Sequence, residues 1–263
     1  MNIENSGAVR AEREYSRAAL LGVAVPQANP IVEPEFSALM PHGVGVIATR
    51  LQGSRTDSRN RLVQYLDHLD ESLDQFDTCR PDALGYACTG TSYLVDRGHE
   101  QRRITELTER FGYPILTAAD AIVDALESIG VRKVAMLAPY PDWMVDCSHR
   151  YWESRGVQVT ASRRTTLDTE DTRNIYRIRT PMVMAAAREL DTSGAEAVLI
   201  SGTGMPSLRA ILEMSLATGK PVISSNLCLA WALLRKAGVE APAPRRELGE
   251  SLLGGWAERV ATL

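Results

Sequence analysis

Asp82-Ala83-Leu84-Gly85-Tyr86-Ala87-Cys88-Thr89-Gly90-Thr91-Ser92 decides the fold, because its layout occurs twice. The second copy is Glu196-Ala197-Val198-Leu199-Ile200-Ser201-Gly202-Thr203-Gly204. In each copy an acid opens an apolar run of strand length, and the run empties into small hydroxyl and glycine residues. Aligning Asp82 with Glu196 sets Cys88 opposite Gly202, and both pairs are 114 residues apart. Pro26 and Tyr140, each at the end of an earlier apolar run, share that offset, and Pro114-Ile115-Leu116-Thr117 resembles Pro221-Val222-Ile223-Ser224 at 107. The chain therefore has two equivalent strand-end positions, and only one carries a cysteine.

Outward from these two copies, apolar runs alternate with amphipathic stretches. Strands are expected at 20–25, 43–49, 82–87, 114–116, 133–138, 157–160, up to Ser201, and at 221–224. Helices are expected at 59–76, 102–111, 118–130, 142–156, 180–191, 208–218 and 227–238. In the first of these, Leu62, Tyr65, Leu66, Leu69 and Leu73 share one face. Alternation of this kind predicts parallel sheets with helices on both faces. The doubling predicts two pseudo-symmetric α/β/α domains facing each other across a cleft at the carboxyl ends of the strands. The expected division is a tail at 1–17, a first domain at 18–117 plus 224–263, and a second at 118–223.

The composition is that of a globular chain: 263 residues, 44% apolar, 24% charged, net charge −4. No basic block argues for a nucleic-acid partner, and no apolar run reaches the roughly 18 residues of a bilayer span. Residues 1–17 are polar, without the apolar core of a secretory signal, so the expected location is cytoplasmic. The cysteines, Cys79, Cys88, Cys147 and Cys228, form no C-x-x-C pair and no Cys/His metal pattern, and are expected to be reduced. His42, His68, His99 and His149 are scattered, and no metal site is expected. Asn29-Pro30 reads locally as a turn, and a lone cysteine at a strand end is commonly core packing. The doubled layout favours a reactive Cys88 instead.

Several segments together resemble the maleate cis–trans isomerases and arylmalonate decarboxylases of the aspartate/glutamate racemase superfamily. They are Val25-Pro26-Gln27-Ala28-Asn29-Pro30-Ile31-Val32-Glu33-Pro34-Glu35, Pro41-His42-Gly43-Val44, Tyr86-Ala87-Cys88-Thr89, Leu137-Ala138-Pro139-Tyr140, Met205-Pro206-Ser207-Leu208 and Pro221-Val222-Ile223-Ser224-Ser225-Asn226. The resemblance implies flavodoxin-like domains, no cofactor, a small carboxylate substrate, and a homo-oligomer, plausibly a dimer by family analogy. It matches Cys88 to the first of two cleft cysteines, and puts Gly202 where the second would stand. It matches Tyr140 to a tyrosine that contacts a substrate carboxylate, and Asn29 to an asparagine of the cleft. Two-thiol racemisation is therefore discounted. One-thiol chemistry remains: addition of the Cys88 thiolate to maleate and release of fumarate, or decarboxylation of a substituted malonate with Cys88 as proton donor. Thr89, Gly90, Thr91, Thr203 and Gly204 are expected to supply donors to an enediolate, and Gly202 to leave room for a bulkier substituent. A two-lobed small-acid sensor is the non-enzyme alternative. A catalytic Cys88 is expected to alkylate faster than the other three cysteines.

Overall fold

The computed structural model describes residues 13–165 and 170–261. Its strands form two four-stranded parallel sheets, β2-β1-β3-β4 and β6-β5-β7-β8. The first contains β1 (Ala19–Pro26), β2 (Val44–Leu51), β3 (Ala83–Tyr86) and β4 (Ile115–Thr117). The second contains β5 (Lys133–Ala138), β6 (Gln158–Arg164), β7 (Ala197–Ile200) and β8 (Val222–Ser224). The order is the same in both halves, β3 and β7 lie at the 114-residue offset, and β4 and β8 at 107. Two flavodoxin-like α/β/α domains result, as the doubling predicts.

Burial separates the central strands from β2 and β6, one edge of each sheet. β3 and β7 are buried at every residue, and β1 at all but one, which is why they read as continuous apolar runs. Edge strands β2 and β6 are only partly covered. The matched acids play matching parts. Asp82 accepts the N–H of Leu20 at 2.7 Å, and Glu196 accepts those of Arg132 and Lys133 at 2.8 and 2.9 Å. Each acid thus ties its own strand to the start of the central neighbour.

The helices are α1 (Val32–Leu39), α2 (Ser58–Asp67), α3 (Leu69–Asp74), α4 (Thr89–Leu94), α5 (Arg97–Phe111), α6 (Ala118–Ser128), α7 (Asp142–Ser154), α8 (Thr180–Arg188), α9 (Leu208–Thr218), α10 (Ser225–Lys236) and α11 (Ala257–Ala261). Side-chain caps start several of them: Asp57 accepts from Asn60 N–H, Asp96 from His99, Thr117 from Asp120 and Ser224 from Leu227. The single helix expected at 59–76 is two, parted at His68. The break lets α3 settle on β2, where Thr49 Oγ1 donates to Ser72 O and Ser72 Oγ donates to Arg50 O. The leucine face survives it, since Leu62, Leu66, Leu69 and Leu73 are all buried. Helix α10 returns to the first sheet, packing on α1, α6, β3 and β4. Residues 1–12 of the expected tail lie outside the described residues, while Arg13 pairs with Asp82 at 2.7 Å. Among the described residues no helix is long and apolar enough to cross a membrane.

Candidate active site

Four strand ends converge. β3 delivers Cys88, β7 delivers Gly202, β1 leads to Asn29 and β5 to Tyr140. These are the switch points of the two sheets, where neighbouring connections diverge and open a crevice. Buried hydrogen bonds join the halves there. Thr203 Oγ1 donates to Ala87 O at 2.7 Å, one residue before Cys88, and accepts from Asn29 Nδ2 at 3.4 Å. Thr89 Oγ1 lies 2.7 Å from Tyr140 Oη. Tyr93 Oη lies 2.8 Å from Ser201 Oγ, and its ring meets Tyr140 edge-on at 5.8 Å.

Cys88 is the N-cap residue of α4. Its sulfur receives the N–H groups of Gly90 and Thr91 and lies 3.4 Å from Thr91 Oγ1. The Thr91 hydroxyl accepts from Tyr86 Oη at 2.8 Å and has a second acceptor in Leu62 O at 2.7 Å. Having one proton, it serves either the carbonyl or the sulfur, and is free to turn toward a thiolate. Burial pushes the Cys88 thiol up from its ordinary value, and these donors pull it back without reversing the rise. Burial likewise raises the phenol of Tyr140, and that of Tyr65 to about 12.

Cys88, Gly90, Tyr140, Gly202, Thr203 and Gly204 border one cavity of about 40 Å³, walled on its apolar side by Pro26, Leu62, Met144, Ile175 and Tyr176. Asn29 and Thr89 stand one hydrogen bond behind it, through Thr203 and Tyr140. The space suffices for little more than water, so a dicarboxylate enters only if the cover moves. That cover is the 3₁₀ turn Thr172–Arg177. The Tyr176 ring rests on Gly204, where a Cβ would come within 2.6 Å of it. The turn is latched from below by Arg61, which is 3% exposed. Its guanidinium donates to Thr172 Oγ1 at 2.8 Å, Asp171 Oδ1 at 3.2 Å and Ser58 Oγ at 3.0 Å. Replacing Arg61 with Met removes the latch and is expected to speed alkylation of Cys88 about tenfold, the worth of a charged hydrogen bond. Per-cysteine labelling by mass spectrometry checks this, and an unchanged rate refutes it.

Several expectations change. Gly90 and Thr91 turn their N–H groups to the sulfur rather than outward. The N–H of Gly202 is engaged by Ser225 Oγ at 2.9 Å, and the Thr203 hydroxyl by Ala87. Gly202 does not open room. Its φ is +104°, and a Cβ there would meet Pro139 Cγ at 2.9 Å and Tyr140 Oη at 3.0 Å. Nor is Cys88 set to label first, since it is buried while Cys79 and Cys147 are partly exposed. Cys228 is fully buried and borders no part of the cavity. Arg50, beside Asn29, pairs with Glu33 at 2.5 Å and donates to Asn29 O. The sequence reading missed Met144, Tyr65 and the 3₁₀ turn. Among the described residues no three His, Cys, Asp or Glu side chains group to hold a metal ion.

Compared with known families, residues 21–247 match arylmalonate decarboxylase. The chain belongs to that family. The matched span takes in the carboxyl ends of β1, β3, β5 and β7, and bears out the resemblance read from the sequence. A maleate isomerase of Geobacillus stearothermophilus is 27% identical over 248 residues, covering 89% of this chain and 97% of the relative. The arylmalonate decarboxylase of Bordetella bronchiseptica is 27% identical over 229 residues, covering 85% and 92%. A solved mutant of the Nocardia farcinica maleate cis–trans isomerase, with a covalently bound succinylcysteine intermediate, is 24% identical with a TM-score of 0.76, covering 88% of this chain and 99% of that one.

Proposed function

We propose that this protein is a cofactor-independent enzyme of small dicarboxylates that works through Cys88 alone, and that its reaction is cis–trans isomerisation of maleate or a close analogue. The observation that carries this is the setting of the Cys88 sulfur, which faces the cavity beneath two N–H groups and a hydroxyl able to turn to it. Such donors stabilise a thiolate, the form that attacks carbon. The succinylcysteine of the Nocardia farcinica relative is the kind of adduct such a thiolate forms. The thiol gives its proton to solvent before the substrate binds, and the resting thiolate then adds to one alkene carbon. The C–C bond becomes single and the electron pair moves onto the far carboxylate as an enediolate. Rotation and expulsion of the thiolate give fumarate with no net change in protons. Tyr140, Asn29, Thr89, Thr203 and Gly204 are the groups proposed to bind and orient the carboxylates, once the cover has moved.

Decarboxylation is the second reading, favoured by the family match and by the burial that holds Cys88 protonated, as a proton donor must be. Incubation with maleate, followed by NMR for fumarate, tests the first reading. Carbon dioxide release from 2-aryl and 2-alkenyl malonates tests the second. Dicarboxylate binding with no turnover of either would mark a sensor instead. The pH profile separates the two enzymes, because burial places the Cys88 pKa above its ordinary value. An isomerase needs the thiolate, so kcat/KM is expected to climb with pH past the ordinary thiol range near about 8.5. A decarboxylase needs the thiol, so its kcat/KM falls over that same limb. The four cysteines, all free, support a cytoplasmic location.

A further inference from the structure

Three segments that carry the family resemblance meet at one buried carboxylate outside the cavity lining. Glu35, on α1, accepts four hydrogen bonds. Ser207 N–H at 2.5 Å and Leu208 N–H at 3.2 Å fall on Oε1, and Ser207 Oγ at 2.8 Å and Asn226 Nδ2 at 2.8 Å on Oε2. Ser207 precedes α9 and Asn226 opens α10, so three helices share this carboxylate. Three of the four partners can only donate, which suits a carboxylate ion, while burial pushes the carboxyl up from its ordinary value. The second proton of the Asn226 amide goes to Thr203 O at 3.1 Å. Next to Asn226, Ser225 Oγ holds Gly202 N–H. The backbone on both sides of the Gly202–Thr203 peptide is therefore held by the first turn of α10, whose orientation Glu35 sets.

From this geometry we infer that Glu35 is a positioning residue: through Asn226 it fixes the turn of residues 202–204 that faces Cys88. The turn has one long backbone hydrogen bond of its own, Met205 N–H to Gly202 O at 3.3 Å. Gly202 sits at φ +104°, and glycine populates many alternatives to that conformation. Its neighbours reach the thiol side through Thr203 Oγ1 to Ala87 O, Asn29 Nδ2 to Thr203 Oγ1 and the Ser201–Tyr93 hydroxyl pair, and none of these touches the backbone of residues 202–204. The other amide acceptor, Asn226 Oδ1, is buried without a hydrogen-bond partner. That orphan leaves the amide orientation to its two donated bonds, and through them to Glu35. A glutamine at 35 would turn an NH₂ group toward donors and break this arrangement.

The role rests on the proposed dicarboxylate reading, and the experiment keeps the two apart. Hydrogen exchange of the free protein, read over residues 202–206, needs no substrate. Glu35→Gln and Asn226→Ala are both expected to speed it about tenfold, the loss of one buried hydrogen bond. Ser207→Ala leaves the Asn226 link in place, and is expected to leave that exchange unchanged. Alkylation of Cys88 should stay within about twofold in all three variants, because its donors lie in α4 on the other half. For turnover of maleate, KM should rise about tenfold in Glu35→Gln and Asn226→Ala, and kcat should change less. Asn226→Ala keeps the buried carboxylate and the Ser207 cap, so it reports even if Glu35→Gln fails to fold. Wild-type exchange in Asn226→Ala overturns the inference, whatever becomes of maleate. Faster exchange with no turnover by the wild-type protein upholds it and sinks the isomerase reading.

Discussion

Cys88→Ala is expected to lower turnover of the dicarboxylate substrate by about 10⁴-fold or more, with the fold intact. Both proposed reactions route their bond-making through this sulfur, as nucleophile in one and as proton donor in the other. No second thiol stands opposite to take over, because that position is Gly202. The stability cost should be small, about 1 kcal/mol, since one sulfur leaves a well-packed site. Cys88→Ser refines the result. A serine can still accept from Gly90 and Thr91, so ligand binding should persist while chemistry fails. Rates from NMR time courses, with melting curves beside them, decide the point. A Cys88→Ala protein that retains a tenth of wild-type activity would exclude every one-thiol mechanism argued above.

Restoring the missing thiol is expected to do harm. Gly202→Cys places an L side chain at φ +104°, a conformation that costs about 1–3 kcal/mol. It also drives Cβ to within 2.9 Å of Pro139 and 3.0 Å of the Tyr140 hydroxyl. Tyr140 must then shift, and its 2.7 Å contact with Thr89 goes with it. A melting temperature lower by about 2–10 °C is expected, together with a loss of activity of about 10²-fold, as suits a misplaced binding group. Calorimetric melting and the maleate assay measure the two effects. A Gly202→Cys protein that melts with the wild type and gains activity would show that the turn tolerates a thiol after all.

The architecture was legible because its evidence is periodic. Fully buried central strands write themselves as apolar runs, and the duplication wrote them twice at one offset. Cys88 and Tyr140 were legible for the same reason, as residues at equivalent strand ends. Helix α1 was hidden by its shortness and by Pro30 and Pro34, which read as a turn. Helix α4 has six residues, too few to show a period. The break at His68 lies inside an uninterrupted leucine pattern, and only packing on β2 reveals it. Gly202 was read as space, yet a glycine can equally mark a special dihedral, and a single letter does not say which. Glu35 shows the limit most plainly. Its partner Ser207 lies 172 residues away, and no spacing rule connects them.

The closed volume around Cys88 bears on fidelity. An enediolate carbon adjacent to a thioether has two fates, return of the electron pair to expel sulfur, or capture of a proton to leave a saturated dead-end adduct. The second requires an acid within reach. The phenols of Tyr140 and Tyr65 are both held above their usual acidity range, and Ile175 and Tyr176 of the Thr172–Arg177 turn add apolar wall to the cavity. In the proposed isomerisation such a cavity would disfavour the wasteful branch by withholding protons.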